Sequence, residues 1–250
     1  MPTNAPLAAI VPFRSVNGGK ERLSAVLSDA ERSELGARLL ERTLRALMRT
    51  PSIGAVLLVS PDPLARALGR SLGATAIDDG GVALNGAIRI GLDAAERLGA
   101  AAALVVPVDL AAITATSIEA LLSSWRERST LDAARDAAQP IGLVAADDGG
   151  TAALMLPLPT HLELRYGPES AVAHRAAALE CARQHRAILD RHGCALGQKR
   201  QGGVGGIAQQ RGACGAPVVD RGAIVERPAI ALGVIHCVDD GLHLRSEEHV

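Results

Sequence analysis

Residues 14–22 read Arg-Ser-Val-Asn-Gly-Gly-Lys-Glu-Arg and follow the apolar run Leu7-Ala-Ala-Ile-Val-Pro-Phe13. A glycine-bearing loop that closes a buried strand and leads to a helix has the parts of a phosphate cradle. Backbone N–H groups of Asn17 to Gly19, the cations Arg14, Lys20 and Arg22, and the positive end of the next helix would all face one anion. Lys20 also stands out because the chain has 24 arginines and only two lysines, Lys20 and Lys199. The loop matches neither G-x-x-x-x-G-K-[ST] nor G-x-G-x-x-G. Taken alone it also reads as a solvated turn with ordinary surface cations.

Asp109 ends the run Val105-Val106-Pro107-Val108. A carboxylate at a strand's end, facing a phosphate loop, suits magnesium, which takes one or two protein carboxylates and fills its other positions with water and phosphate oxygens. Its plainer reading is a helix cap or a loop charge. Asp147-Asp148-Gly149-Gly150-Thr151 and Tyr166-Gly167-Pro168-Glu169-Ser170 each supply small residues, free N–H groups and a hydroxyl, which a carboxylate or phosphate ligand needs. They also read as a hairpin turn and a proline-initiated helix start. His174, one turn after Ser170, either faces such a ligand or packs. Asn85 either contacts a nucleotide or caps its own turn. No Ser-His-Asp order or H-E-x-x-H occurs, so nothing demands a covalent nucleophile.

These residues need elements to carry them. Residues 7 to 13, 55 to 60, 74 to 78 and 102 to 107 read as short apolar strands. Between and after them, helical spacing appears from Ser28 to Pro51, over 63 to 72, 83 to 98 and 114 to 128, with Ser28 and Glu31 in the form of a capping box. Such alternation predicts a mainly parallel sheet covered on both faces, with ligands at the strands' carboxyl ends. Lys20, Asp78, Asp79 and Asp109 all follow predicted strands and so share one rim. Residues 141 to 147 and 152 to 156 read as a hairpin, an antiparallel element in that sheet. A helix over 168 to 183 and a short strand over 186 to 190 complete the pattern.

At 250 residues and 48% hydrophobic, the chain can bury a full core. A net charge of -1 without a basic stripe argues against nucleic acid or a membrane surface as partner. No run spans a bilayer and no secretory signal is visible, so a cytoplasmic protein is expected. Cys181, Cys194, Cys214 and Cys237 form no C-x-x-C pair, which argues against zinc. Monomer and homodimer are both open. The character changes at about Gly193: 11 of the 26 glycines and three of the four cysteines lie from Gly193 onward. Residues 1–192 are therefore read as one domain and 193–250 as an atypical Gly-rich C-terminal tail, with short strands at Val218-Val219 and Ile230 to Val234. A second reading is that a frame change in a GC-rich gene replaced the original C-terminus.

Six segments in order, Ile10-Val-Pro-Phe13, Gly19-Lys20-Glu21-Arg22-Leu23, Leu84-Asn85, Val106-Pro107-Val108-Asp109-Leu110, Gly149-Gly150-Thr151-Ala152-Ala153-Leu154, and Arg165 to Ser170 with His174, resemble one family. It is the 2-phospho-L-lactate, phosphoenolpyruvate and 3-phospho-D-glycerate guanylyltransferases of coenzyme F-420 biosynthesis. The resemblance implies an α/β, three-layer αβα nucleotidyltransferase fold, Rossmann-like, with a mainly parallel sheet and an antiparallel hairpin. It implies GTP and magnesium (Mg2+), and transfer of GMP to a small phosphorylated carboxylic acid with release of pyrophosphate. By position, Lys20 and Arg22 would hold the GTP phosphates, Asn85 would contact the nucleotide, and Thr151, Gly167 and Ser170 would hold the acid. Asp109 would bind metal and, with Lys20, carry catalysis.

The family continues to an Asp-x-Asp pair whose counterpart here is Asp190-Arg191-His192, leaving Asp190 as the second metal ligand. Ala152 stands where the family commonly has asparagine. The alternatives are a nucleotidyltransferase for another phosphorylated cofactor precursor, or a GTP-binding regulatory protein that has lost catalysis.

Overall fold

The computed structural model describes residues 6–15, 24–110, 112–133, 140–181, 224–227, 230–235 and 246–247. Strand β1 (Leu7–Pro12) is buried along its whole length. Helix α1 (Asp29–Met48) begins at the expected capping box: the Glu31 backbone N–H donates to Ser28 Oγ at 3.3 Å, and the Glu31 carboxylate accepts from the Ser28 backbone N–H at 2.8 Å. Then come β2 (Ile53–Val59), α2 (Pro63–Ser71), β3 (Thr75–Ile77), α3 (Leu84–Arg97), β4 (Ala102–Val105) and α4 (Ala115–Ala133). The hairpin β5 (Ile141–Ala145) and β6 (Thr151–Pro157) leads to α5, helical over 170–181. Strands β7 (Ile224–Arg227), β8 (Ile230–Ile235) and β9 (Ser246–Glu247) follow.

Among the described residues, nine strands form one sheet in the order β3-β2-β1-β4-β6-β5-β8-β7-β9. β3, β2, β1 and β4 run parallel, and β6 joins β4 antiparallel. Because successive side chains of a strand point to opposite faces, β1 feeds two cores. Leu7, Ala9 and Val11 pack with Leu40, Leu44 and Leu47 of α1 and Leu122 and Trp125 of α4. Ala8 and Ile10 pack on the other face with Ile88 and Leu92 of α3 and Ala171 and Ala178 of α5. The result is the expected three-layer αβα arrangement. On the second face α3 lies so close to β1 that a Cβ at Gly91 would stand 2.5 Å from Ile10 Cγ2, so this helix position accepts only glycine without a shift.

Parallel β1 to β4 send their carboxyl ends to one rim. β6 runs the other way, and Val105 faces Leu154, so Thr151 emerges where β4 stops. The hairpin turn is closed by Gly149 N donating to Ala146 O at 3.0 Å. One expected boundary shifts: α5 begins at residue 170 rather than at Pro168, because Gly167 (φ 152) and Glu169 (φ 53) lie in the left-handed half of backbone space, where a right-handed helix cannot start. Beyond 193, β8 covers the strand expected at Ile230 to Val234 and pairs antiparallel with β5. Val218-Val219 and the strand expected over 186–190 lie outside the described residues. Among the described residues no helix is long and apolar enough to cross a membrane.

Candidate active site

The hairpin turn and the segment before α5 are clasped together at the rim. Ala171 N donates to Gly149 O at 3.1 Å, and Ser170 Oγ donates to Thr151 Oγ1 at 3.0 Å. The Glu169 carboxylate lies over Gly149, where an added Cβ would stand 2.8 Å from Oε1. With φ at 82, Gly149 is required twice, by its backbone and by this contact.

Behind the clasp stands His174, completely buried; Thr151 is 7% and Ser170 1% exposed. Its Nδ1 lies 2.9 Å from Thr151 Oγ1, and its Nε2 accepts from the Arg165 backbone N–H at 2.9 Å. Burial, with the nearby Arg165 charge, pushes the imidazole pKa down to about 4, so the ring is neutral at pH 7. Tyr166 meets the ring edge-on with centroids 4.7 Å apart. Burial holds its phenol well above the usual range, and its buried hydroxyl has no hydrogen-bond partner among the described residues.

Asn85, in the first turn of α3, ties this region to the parallel half of the sheet. Its Oδ1 accepts from Tyr166 N at 2.9 Å, and its Nδ2 donates to Tyr166 O at 3.4 Å. One turn on, Arg89 donates to the carbonyls of Thr160 and Leu162 at 3.3 and 3.0 Å. The sequence reading missed Arg89. The available signal was its spacing of four from Asn85, which puts both on one helix face.

The other half of the rim is more open. Arg14 donates to Val82 O at 2.9 Å and so braces the loop after β3. In that loop the N–H groups of Gly80 and Gly81, with φ of 64 and 82, donate to the Asp78 and Asp79 side chains at 2.9 and 3.0 Å, and among the described residues no atom within 4 Å would meet a Cβ at either. Arg66 holds Asp78 at 2.9 Å. A cleft of about 440 Å³ opens beside β1 and β2, lined by Arg14, Ser15 and residues 61–64.

Asp109 is exposed on the same rim, between the buried side chain of Val108 and the turn toward Ile113. Buried Val106 and Val108 anchor its backbone, so the carboxylate has a fixed origin. Among the described residues no group of three or more His, Cys, Asp or Glu is gathered, so no closed protein cage for a metal exists there. A carboxylate on an open rim fits a hard cation that completes its shell with water and phosphate oxygens. Gly167 is exposed, and no atom within 4 Å would meet a Cβ there. Thus Asn85, Asp109, Thr151, Gly167 and Ser170 come to one rim, whereas Lys20, Arg22 and Asp190 lie outside the described residues.

Residues 7–190 match the model of a protein family described as "Guanylyl transferase CofC like". The chain is 38% identical over 173 residues to a phosphoenolpyruvate guanylyltransferase of Sphaerobacter thermophilus, covering 68% of this chain and 77% of that protein. It is 36% identical to a phosphoenolpyruvate guanylyltransferase of Rubrobacter xylanophilus, covering 68% and 78%. It is 32% identical to a 3-phospho-D-glycerate guanylyltransferase of Phenylobacterium zucineum, covering 70% and 79%.

Proposed function

Because this chain belongs to the CofC-like guanylyl transferase family, we propose that it joins GMP from GTP to the phosphate of a small phosphorylated carboxylic acid, releasing pyrophosphate, in coenzyme F-420 biosynthesis. Phosphoenolpyruvate is the first choice of acid, since the relatives at 38% and 36% identity carry that activity in their names. The observation that carries the site assignment is the clasp itself. Thr151 and Ser170 hydroxyls and the open backbone at Gly167 converge on a rim that also bears Asp109.

In this reading a phosphate oxygen of the acid attacks the α-phosphorus of GTP in line. A new P–O bond forms as the bond from the α-phosphorus to the β-phosphate's bridging oxygen breaks, and its electron pair leaves with pyrophosphate. The nucleophile is already an anion near pH 7, so no general base is required. Lys20 and Arg22 hold the triphosphate, with Lys20 opposing the charge that develops on the leaving group. The cleft beside Arg14 offers room for the guanosine end, and Asn85 joins nucleotide and acid loops. Magnesium, with Asp109 and Asp190 as its protein ligands, would supply Lewis-acid neutralisation of the phosphates. Catalysis then rests on positioning and electrostatics. In this reading the enzyme acts in the cytoplasm.

The test is pyrophosphate release from GTP and magnesium with 2-phospho-L-lactate, phosphoenolpyruvate and 3-phospho-D-glycerate in turn. Release with at least one acid is expected. A protein that binds GTP and releases none with any of them is the regulatory alternative, and the proposal fails.

A further inference from the structure

A neutral imidazole carries one N–H and one lone pair, so whatever fixes one nitrogen fixes the other. At His174 the fixing group is the Arg165 backbone N–H, which can only donate; it points at Nε2 from 2.9 Å. Nε2 therefore holds the lone pair and Nδ1 holds the proton. That proton faces Thr151 Oγ1 at 2.9 Å. Ser170 Oγ donates to the same oxygen at 3.0 Å. A threonine hydroxyl has two lone pairs and one proton. Both lone pairs are now occupied, and among the described residues nothing accepts the Thr151 proton.

We propose that His174 is a positioning residue for the phospho-acid: by donating through Nδ1 to Thr151 Oγ1, it leaves Thr151 able only to donate, which suits an anion and disfavours neutral or cationic ligands at that point. With the opposite tautomer, Thr151 would donate to the ring and turn a lone pair toward the ligand. The backbone of Arg165 thus sets the polarity of a hydroxyl fourteen residues earlier, through one buried ring. Tyr166, held by Asn85 and set against the same ring, keeps the imidazole in register. The inference rests on the reading that Thr151 and Ser170 hold the acid.

The experiment compares steady-state kinetics of the full chain with four variants, reading KM for phosphoenolpyruvate and for GTP separately. Thr151→Val removes the hydroxyl at constant shape. His174→Asn keeps a donor near the Nδ1 position, whereas His174→Gln and His174→Leu do not. A lost hydrogen bond to a charged ligand corresponds to roughly a tenfold or greater rise in KM. We expect that rise for the acid with Thr151→Val, His174→Gln and His174→Leu, a change of under about threefold with His174→Asn, and little change in the KM for GTP in all four.

If Thr151→Val leaves the acid's KM unaltered, the underlying site reading fails. If Thr151→Val raises it but His174→Gln and His174→Leu do not, the role of His174 is overturned; the same holds if His174→Asn is as damaging as His174→Gln, or if both substrates suffer alike. Should the His174 variants not fold, long-range proton–nitrogen NMR of the assigned His174 ring in the unaltered protein decides. An Nδ1–H tautomer supports the proposal, and an Nε2–H tautomer overturns it.

Discussion

The two halves of the rim are built on opposite plans. On the side of β5, β6 and α5, the groups are buried, mutually hydrogen-bonded and supported from behind: Thr151, Ser170 and His174 form one chain, and Asn85 and Arg89 pin the segment before α5. On the side of β1 to β4, Asp79 is buried but Arg14, Asp78 and Asp109 are exposed, and the glycines at 80 and 81 stand in open space. In the proposed reading, ligand size explains the contrast. A three-carbon acid offers few contacts, so each must be held ready before it arrives, whereas a triphosphate carries enough charge to gather exposed cations and a metal around itself. Preorganisation is concentrated where the ligand is smallest.

The sharpest way to break this comparison is on the open side. Lys20→Ala and Asp109→Ala should each lower turnover about a hundredfold or more, as removal of a group that stabilises transition-state charge does. The melting temperature of Asp109→Ala should barely move, since substitution at an exposed position shifts stability by within about 0.5 kcal/mol. Undiminished turnover in both would remove the open side from the chemistry.

On the clasped side, Gly149→Ala must place a side chain at φ 82 and against the Glu169 carboxylate. A loss of about 1–3 kcal/mol of stability is expected, with a raised KM for the acid. A melting curve and kinetics like those of the unaltered protein would show the clasp to be dispensable. Asn85→Ala removes the bridge between the halves; two neutral hydrogen bonds at about 1 kcal/mol each predict a several-fold rise in KM for both substrates. A rise confined to GTP would mean that its contacts to Tyr166 do not matter for the acid.

A further effect is on pH dependence. Burial and the Arg165 charge lower the folded His174 pKa to about 4, below the ordinary imidazole value of about 6.5. The unfolded chain therefore binds more protons between those values, and this contribution to stability is complete above about pH 6.5 and lost as the pH falls toward 4. The loss amounts to about 2–3 kcal/mol at most. Thermal melts of the unaltered protein should fall more steeply from pH 7 to 4.5 than those of His174→Asn; equal slopes would show that the buried ring is not what titrates.

Much of this architecture was readable from local pattern. The alternation of short apolar strands with helices, the Ser28 to Glu31 capping box, and the glycine hairpin before Thr151 are properties of neighbouring residues, and the structure has them where the spacing put them. The start of α5 was misplaced because Pro168 favours a helix start by itself, while the left-handed Glu169 is imposed by its contact with a distant turn. Asn85 and Arg89 act on carbonyls more than seventy residues away, so their spacing of four showed only a shared helix face and not what that face holds. Thr151, Gly167 and Ser170 were legible as small or hydroxyl-bearing residues in two rim loops, to which the proposed reading gives the acid. The polarity that His174 imposes on them was not, since it depends on which backbone N–H meets its far nitrogen.

The most direct measurement of the central claim is a single reaction holding GTP, magnesium and equal amounts of the three phospho-acids, with every guanosine product identified by mass. The account predicts a guanylylated acid formed in step with pyrophosphate, with phosphoenolpyruvate the preferred acceptor. Finding GTP unchanged, or GMP and GDP without any guanylylated acid, would contradict it.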